Sequence, residues 1–216
     1  MAHRKHRRQS AAAPRGVREA LLDAAVEIIR EKGIGFVSLR EVARRARVSH
    51  AAPAHYFRNK SGLFAAFAAH GYQRMAAGVV AAMERAGTRD APTALEVLGA
   101  AYVRFAIENP ELFTMMFRPQ AAGAPEDAAL RAARDSAFGV LEDALRRCAR
   151  DGWLPGISPE LGAIAAWSIM HGLAALWLSG RMGERSRGAD PNRLARRVAR
   201  LFVDGVVRKR LRAPQS

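Results

Sequence analysis

With 216 residues, half of them apolar, the chain can bury one generous core or join a small domain to a larger one. Its single cysteine, Cys148, excludes an internal disulfide framework and a cysteine-based metal cluster. The net charge of +15 is concentrated, with fourteen Lys/Arg against five Asp/Glu in residues 1–72 and twenty-one against fifteen in 73–216; such a field attracts polyanions without distinguishing DNA, RNA or an anionic membrane.

The segment MAHRKHRRQS is cationic and no apolar run follows it, so it does not read as a secretory signal, and a cytoplasmic protein is expected. Residues 1–14 read as a flexible basic arm. From Arg15 the pattern becomes helical. Leu21, Ala24/Ala25 and Ile28 recur at three and four, and Gly33 stands where such a helix would stop, predicting a first helix over roughly 15–32. Ser38-Leu39-Arg40-Glu41 has the form of a capping box and opens a second helix to about Arg47, with Leu39, Val42, Ala43 and Ala46 inward and Arg40, Arg44 and Arg45 outward. Val48-Ser49 is a short turn. Ser49 is the expected N-cap of a third helix, His50 to about Phe57, with Pro53 early enough to be tolerated. Two short helices joined in this way form a helix-turn-helix.

Asn59 is placed to cap a long fourth helix, Lys60 to about Arg85, carrying Leu63, Phe64, Phe67, Met75, Val79 and Met83. A second capping box, Thr93-Ala-Leu-Glu96, is expected to open the next helix, which ends at Asn109-Pro110 and restarts briefly over 110–117. Residues 119–126 read as loop. Leu130, Ala133, Ala137, Val140/Leu141, Ala144 and Cys148 make a helical stripe across 127–150. Ser158-Pro159 starts a helix to about Ser179, 181–188 reads as a polar loop, and Asp190-Pro191 starts a last helix with Leu194, Val198, Leu201, Phe202 and Val206 along one side.

No strand pattern and no internal repeat is present, so the expected fold is all-α: an N-terminal three-helix helix-turn-helix domain and a larger C-terminal helical bundle that dimerises. The expected divisions are an arm over 1–14, a DNA-binding domain over 15–75 with its motif at 38–57, and a ligand-binding and dimerisation domain over 76–216. Residues 161–180 carry no charge for twenty positions, long enough for a membrane span. His171, Ser168, Gly162 and Gly172 dilute that run, and a helix apolar all round can instead be buried between its own domain and a partner subunit. No membrane partner is expected; the last two helices, about 159–179 and 191–209, are the expected homodimer interface.

Residues 15–75, above all SLREVARRARVSHAAPAHYFRNKSGLF at 38–64, resemble the DNA-binding domain of the tetracycline-repressor (TetR) family of transcriptional regulators. The shared elements are the helix capped by Ser38, the Val48-Ser49 turn, the Tyr56-Phe57 end of the recognition helix, Lys60 and Leu63. Further on, Phe105-Ala106, Asn109-Pro110-Glu111-Leu112-Phe113, Met116-Phe117 and Trp167…His171-Gly172 resemble a ligand-binding domain named for its Trp-His-Gly signature. Two departures stand out: Arg47 occupies the turn position where glycine is usual, and Ala54 replaces a common aromatic.

The resemblance implies a sequence-specific DNA-binding regulator, a ligand-released repressor acting as a dimer on a palindromic double-stranded operator, cytoplasmic and nucleoid-associated when bound. In a helix-turn-helix the recognition helix enters the major groove with its first residues at base edges. His50, Ala51, Ala52 and His55 are therefore expected at bases, and Ser38, Arg40, Ser49, Tyr56 and Lys60 at phosphates. Phe105, Met115, Met116, Phe117, Phe138, Trp167, Met170 and His171 are candidate contacts for a small apolar or aromatic effector. Catalysis is not expected: Gly-x-Ser-x-Gly, a nucleotide-binding glycine loop and His-Glu-x-x-His are all missing from the sequence, and no catalytic residue, metal or cofactor is assigned. The alternatives are a non-specific nucleoid-type DNA-binding protein and an activator of the same family.

Overall fold

The computed structural model describes residues 16–88, 90–117, 128–154, 156–186 and 188–207. The basic arm expected at 1–14, the loop expected at 119–126 and the end of the last helix beyond residue 207 lie outside them. Among the described residues there is no strand, and nine α-helices follow in order: α1 Val17–Lys32, α2 Leu39–Ala46, α3 Ala52–Phe57, α4 Lys60–Ala86, α5 Ala91–Glu108, α6 Pro110–Phe117, α7 Ala128–Arg150, α8 Pro159–Leu178 and α9 Pro191–Phe202. The all-α expectation holds. Contacts divide the chain into two units, one ending at Leu63 and the other beginning at Phe64. The boundary expected at 75/76 falls inside α4, which belongs to both.

In the first unit, α1 turns Leu21, Leu22, Ala24, Ala25, Ile28 and Ile29 inward and stops at Gly33, whose φ of 90° places its N–H on the Ile29 carbonyl at 2.8 Å. Val37, Val42, Ala43, Phe57 and Leu63 are also buried. Ser38 Oγ accepts the Glu41 N–H at 3.2 Å. The glutamate does not complete the expected box; its carboxylate instead takes Arg44 Nε and Nη2 at 2.7 and 2.6 Å. Leu39 and Ala46, expected inside, are only half-buried because an eight-residue helix packed on one side leaves its ends at the rim.

The end of α2 answers the question posed by Arg47. It adopts the left-handed conformation, φ 56° and ψ 41°, while its N–H reaches the Arg44 carbonyl at 3.3 Å and the Val48 N–H reaches that of Ala43 at 3.1 Å. This is the Schellman arrangement, which glycine adopts without a Cβ clash. An L-residue there costs roughly 1–2 kcal/mol. The third helix departs from expectation. Ser49 does not cap it: the Ser49 carbonyl accepts the Ala52 N–H at 3.0 Å in a turn, Ala51 is the residue before the helix, and no side chain caps it. Pro53 lies within its first two positions, so one amide that a cap would otherwise satisfy is missing by chemistry.

Asn59 Oδ1 accepts the Gly62 N–H at 2.9 Å at the start of α4, as its position predicted. Gly62 has a steric reason as well, since a Cβ there would overlap the Phe57 carbonyl oxygen.

In the second unit, the expected Thr93-to-Glu96 box is replaced by a start three residues earlier. Asp90 Oδ1 accepts the Thr93 N–H at 2.8 Å, Pro92 sits in the first turn, and Glu96 is carried inward to 7 % exposure. There its Oε2 takes Arg200 Nε and Nη2 of α9 at 3.1 and 2.9 Å, which is why a glutamate is tolerated on a buried face. Ser158 and Asp190 cap α8 and α9 through the Leu161 and Asn192 N–H groups at 3.2 and 2.9 Å. Val79, Leu95, Leu98, Leu141, Leu145, Cys148, Ala163 and Phe202 form one continuous core drawn from α4, α5, α7, α8 and α9. Burial pushes the Cys148 thiol up to about 11, so it stays protonated and inert. The segment expected as a polar loop contains a 3-10 turn, Gly183–Ser186. The last helix gives way to a π turn at Val203–Val207, and its apolar stripe splits, with Ala195, Ala199 and Phe202 buried but Leu201 72 % exposed.

Candidate nucleic-acid interface and ligand cavity

The outward surface of the first unit follows from how α3 is anchored. Pro53 and Phe57 are buried, and the Arg18 guanidinium lies 5.9 Å from the Phe57 ring centre. The intervening positions therefore face solvent: Ala54, His55 and Tyr56 are exposed, as are Ser49, His50 and Ala51 in the turn before the helix. Ala52 alone of the expected base-reading residues is half-buried, because it starts the helix beside the buried Pro53. Tyr56 presents 43 % of its surface and His55 meets it edge-on at 5.2 Å. Ser38, Arg40 and Lys60 are exposed, with the Ser38 hydroxyl already engaged by the Glu41 N–H.

Electrostatics sort the cations of α2. Arg44 is taken up by Glu41, whose carboxyl the arginine holds down to about 2. Arg45 was expected to point to solvent. It instead folds back on α1 to meet the Glu31 carboxylate with both terminal nitrogens at 2.6 Å and Glu27 at 3.7 Å, because two acidic residues one helical turn apart face it there. What remains for an outside partner is a short helix with small and aromatic side chains outward, flanked by polar and cationic groups.

The second unit contains a cavity of about 460 Å³. Of the eight residues expected at a ligand, Met116, Phe117, Phe138 and Trp167 line it. Met170 lines a much smaller neighbouring void of about 30 Å³. Phe105 and Met115 are buried elsewhere in the core, and His171 does not reach the wall. Sequence reading missed Tyr72 and Met75 of α4, Tyr102 of α5, and Arg134 and Asp135 of α7, all on the wall. A signal existed for the tyrosines: each is a polar aromatic set at helical spacing in an otherwise apolar stripe, where a buried hydroxyl must find a partner.

Both hydroxyls do. Tyr72 donates to the Met116 carbonyl at 3.0 Å, and burial raises its phenol to about 12. Tyr102 accepts Trp167 Nε1–H at 3.3 Å and lies 2.9 Å from His171 Nδ1. Tryptophan can only donate, so the phenol proton is left for the imidazole, which makes His171 neutral with its proton on Nε2. Burial lowers the His171 pKa and so favours the same form. Phe113 stacks on His171 at 5.4 Å and Phe117 meets it edge-on at 4.5 Å. The cavity is thus an aromatic and aliphatic chamber whose internal polar groups largely satisfy one another, with Arg134 and Asp135 as its charged wall groups. Among the described residues no three His, Cys, Asp or Glu side chains gather to hold a metal.

Two family models match the chain. One, described as bacterial regulatory proteins of the tetR family, covers residues 21–67; the other, a tetracyclin repressor-like C-terminal domain, covers residues 95–202, half the chain. The description of the second carries no Trp-His-Gly designation. Among curated relatives, the HTH-type transcriptional regulator BetI of Escherichia coli is 45 % identical over 49 residues, 23 % of this chain, and the match spans only 25 % of that relative's length. Among solved structures, a protein with unknown function from Rhodococcus sp. RHA1 superposes with a TM-score of 0.77 at 26 % identity, covering 92 % of this chain and all of the other. The TetR family transcriptional regulator PfmR from Thermus thermophilus gives 0.61 at 25 % identity, covering 91 % and 98 %. The fatty acid degradation regulator FadR from Bacillus halodurans gives 0.68 at 16 % identity over 87 % and 98 %, a likeness of fold alone.

Proposed function

The chain belongs to the tetracycline-repressor family of DNA-binding transcriptional regulators, and from that premise we propose that it is a repressor which a small apolar or aromatic molecule releases from a palindromic operator. The observation that carries the release half of this reading is the aromatic cavity of about 460 Å³, of a size that encloses a small organic molecule. For the DNA half, His50, Ala51, Ala52 and His55 read base edges, while Ser38, Arg40, Ser49, Tyr56 and Lys60 hold phosphates. Residues 15–75 serve as the DNA-binding domain, 1–14 as an arm adding basic charge, and 76–216 as the ligand and dimer domain of a cytoplasmic protein.

The dimer forms through α8 and α9. Support comes from apolar side chains left in solvent: Leu161 at 59 %, Ile164 at 53 % and Leu176 at 46 % on α8, and Leu201 on α9. The same α8 is the described helix long and apolar enough to cross a membrane, at mean hydropathy 1.6, and its one-sided burial against α5 and α7 suits an interface better. Release follows from α4, a single helix that begins at Lys60 and supplies Tyr72, Met75 and Val79 to the cavity wall. A ligand that favours one position of α4 changes the spacing of two recognition helices, which must meet successive major grooves about 34–36 Å apart. Linkage then requires that DNA weaken the ligand.

The test is a footprint on the protein's own promoter, followed by ligand titration with and without the protected duplex. Ligand affinity unchanged by operator would reject release, and protection of random duplex equal to that of the promoter would favour the nucleoid-type alternative.

A further inference from the structure

Among the described residues, the non-glycine positions with positive φ are two, and both are arginines: Arg47 at 56° and Arg58 at 63°. They bracket α3. Arg47 ends α2 five residues before α3 begins, and Arg58 follows its last residue, with its N–H on the Ala54 carbonyl at 2.9 Å and the Asn59 N–H on the Phe57 carbonyl at 2.7 Å. Glycine or asparagine fits such turns with less strain. Neither position uses its guanidinium to stabilise the fold: both residues are exposed, and neither makes an ion pair or side-chain hydrogen bond among the described residues. The adjacent Arg44 and Arg45 show the contrast, each held by glutamates of its own unit.

We propose that Arg47 and Arg58 are backbone clamps that contact DNA phosphates on either side of the recognition helix. Each holds a strained turn in which its side chain has no internal role, and each adds an uncompensated positive charge beside the residues expected at bases. The six residues of α3 rise by about 9 Å, and the flanking turns extend this to the order of the ~12 Å major-groove width, so the two arginines suit the two walls of one groove. Their contribution is independent of base sequence, because a phosphate is the same at every step. This inference rests on the DNA-binding reading and assigns two residues that the sequence pattern did not.

The experiment measures binding of the full chain to a random-sequence duplex and to its own promoter fragment over a range of salt. Variants are Arg47→Gly, Arg58→Gly, the double variant, and Arg47→Lys, which keeps the charge. Each glycine variant is expected to melt at or above the wild-type temperature, since strain is relieved. Each should bind both duplexes several-fold more weakly and lower the slope of log K against log salt by about one, the double variant by about two, with the promoter-to-random ratio unchanged. Arg47→Lys should retain the wild-type slope. Unchanged slopes in well-folded glycine variants would overturn the inference while leaving DNA binding intact; so would a Lys variant as weak as Gly. Failure of the wild type to bind either duplex would instead reject the DNA-binding reading itself.

Discussion

The Tyr102 hydroxyl stands 2.9 Å from His171 Nδ1, joining α5 to α8 across sixty-nine residues of sequence, and the same oxygen accepts the Trp167 indole N–H at 3.3 Å. Because tryptophan can only donate, this bridge works with a neutral imidazole. It links the cavity wall to a histidine set behind it, and it has a pH dependence of definite sign.

Burial lowers the His171 pKa below its ordinary 6.5. The unfolded chain therefore binds a proton more readily than the folded one, so the stabilising contribution is fully present above pH 6.5 and is lost as pH falls below that value toward the folded pKa. Thermal unfolding should occur at a lower temperature at about pH 5.5 than at about pH 7.5, and His171→Gln should flatten part of that difference. A His171→Gln profile parallel to wild type would show that other groups carry it.

Cavity occupancy can be tested without knowing the effector. Ala76 lies on the wall beside Met75 and Val79, and Ala76→Trp would place an indole in the open volume. An environment-sensitive apolar dye titrated against the two proteins should bind the variant at least about tenfold more weakly, one full pocket's worth of lost contact. Circular dichroism should be unchanged.

Gly62 is the tightest point of the first unit. Gly62→Ala drives a methyl group into the Phe57 carbonyl, a backbone atom that cannot swing away. Denaturant unfolding should show a loss of about 1–3 kcal/mol, the usual cost of overpacking. Ser38→Ala, which removes only the cap on Glu41 N–H, should cost about 1 kcal/mol.

The division between phosphate and base contacts predicts opposite signatures. Lys60→Ala should weaken binding to every sequence and lower the salt slope by about one, whereas His50→Ala should change the promoter-to-random ratio at constant slope. Gel-shift titrations at several salt concentrations read both quantities, and equal losses on both duplexes for both variants would refute the division.

Most helices were legible because their signals are local. Periodic leucines and alanines, the Ser38, Asn59, Ser158 and Asp190 caps and the Asn109-Pro110 break act between residues no more than a turn or two apart. Where two caps competed, proximity in sequence was a poor guide: Asp90 took the start of α5 from Thr93, freeing Glu96 to be buried. At the third helix, Ser49 lost the capping role because a turn placed its carbonyl, rather than its hydroxyl, against Ala52.

The charge placement, the all-α fold, the helix-turn-helix and the family were determined by the sequence alone, since periodicity, capping and motif spacing are properties of short stretches. Only the tertiary structure decided that Arg45 turns back to Glu31 and that Glu96 finds Arg200. It also decided which of eight candidate side chains line the cavity, and that Tyr72, Tyr102 and Arg134 join them. The physical reason is common to all of these. A partner 14, 69 or 104 residues away is set by how helices pack, and a cavity is the space that packing leaves, which no single helix encodes.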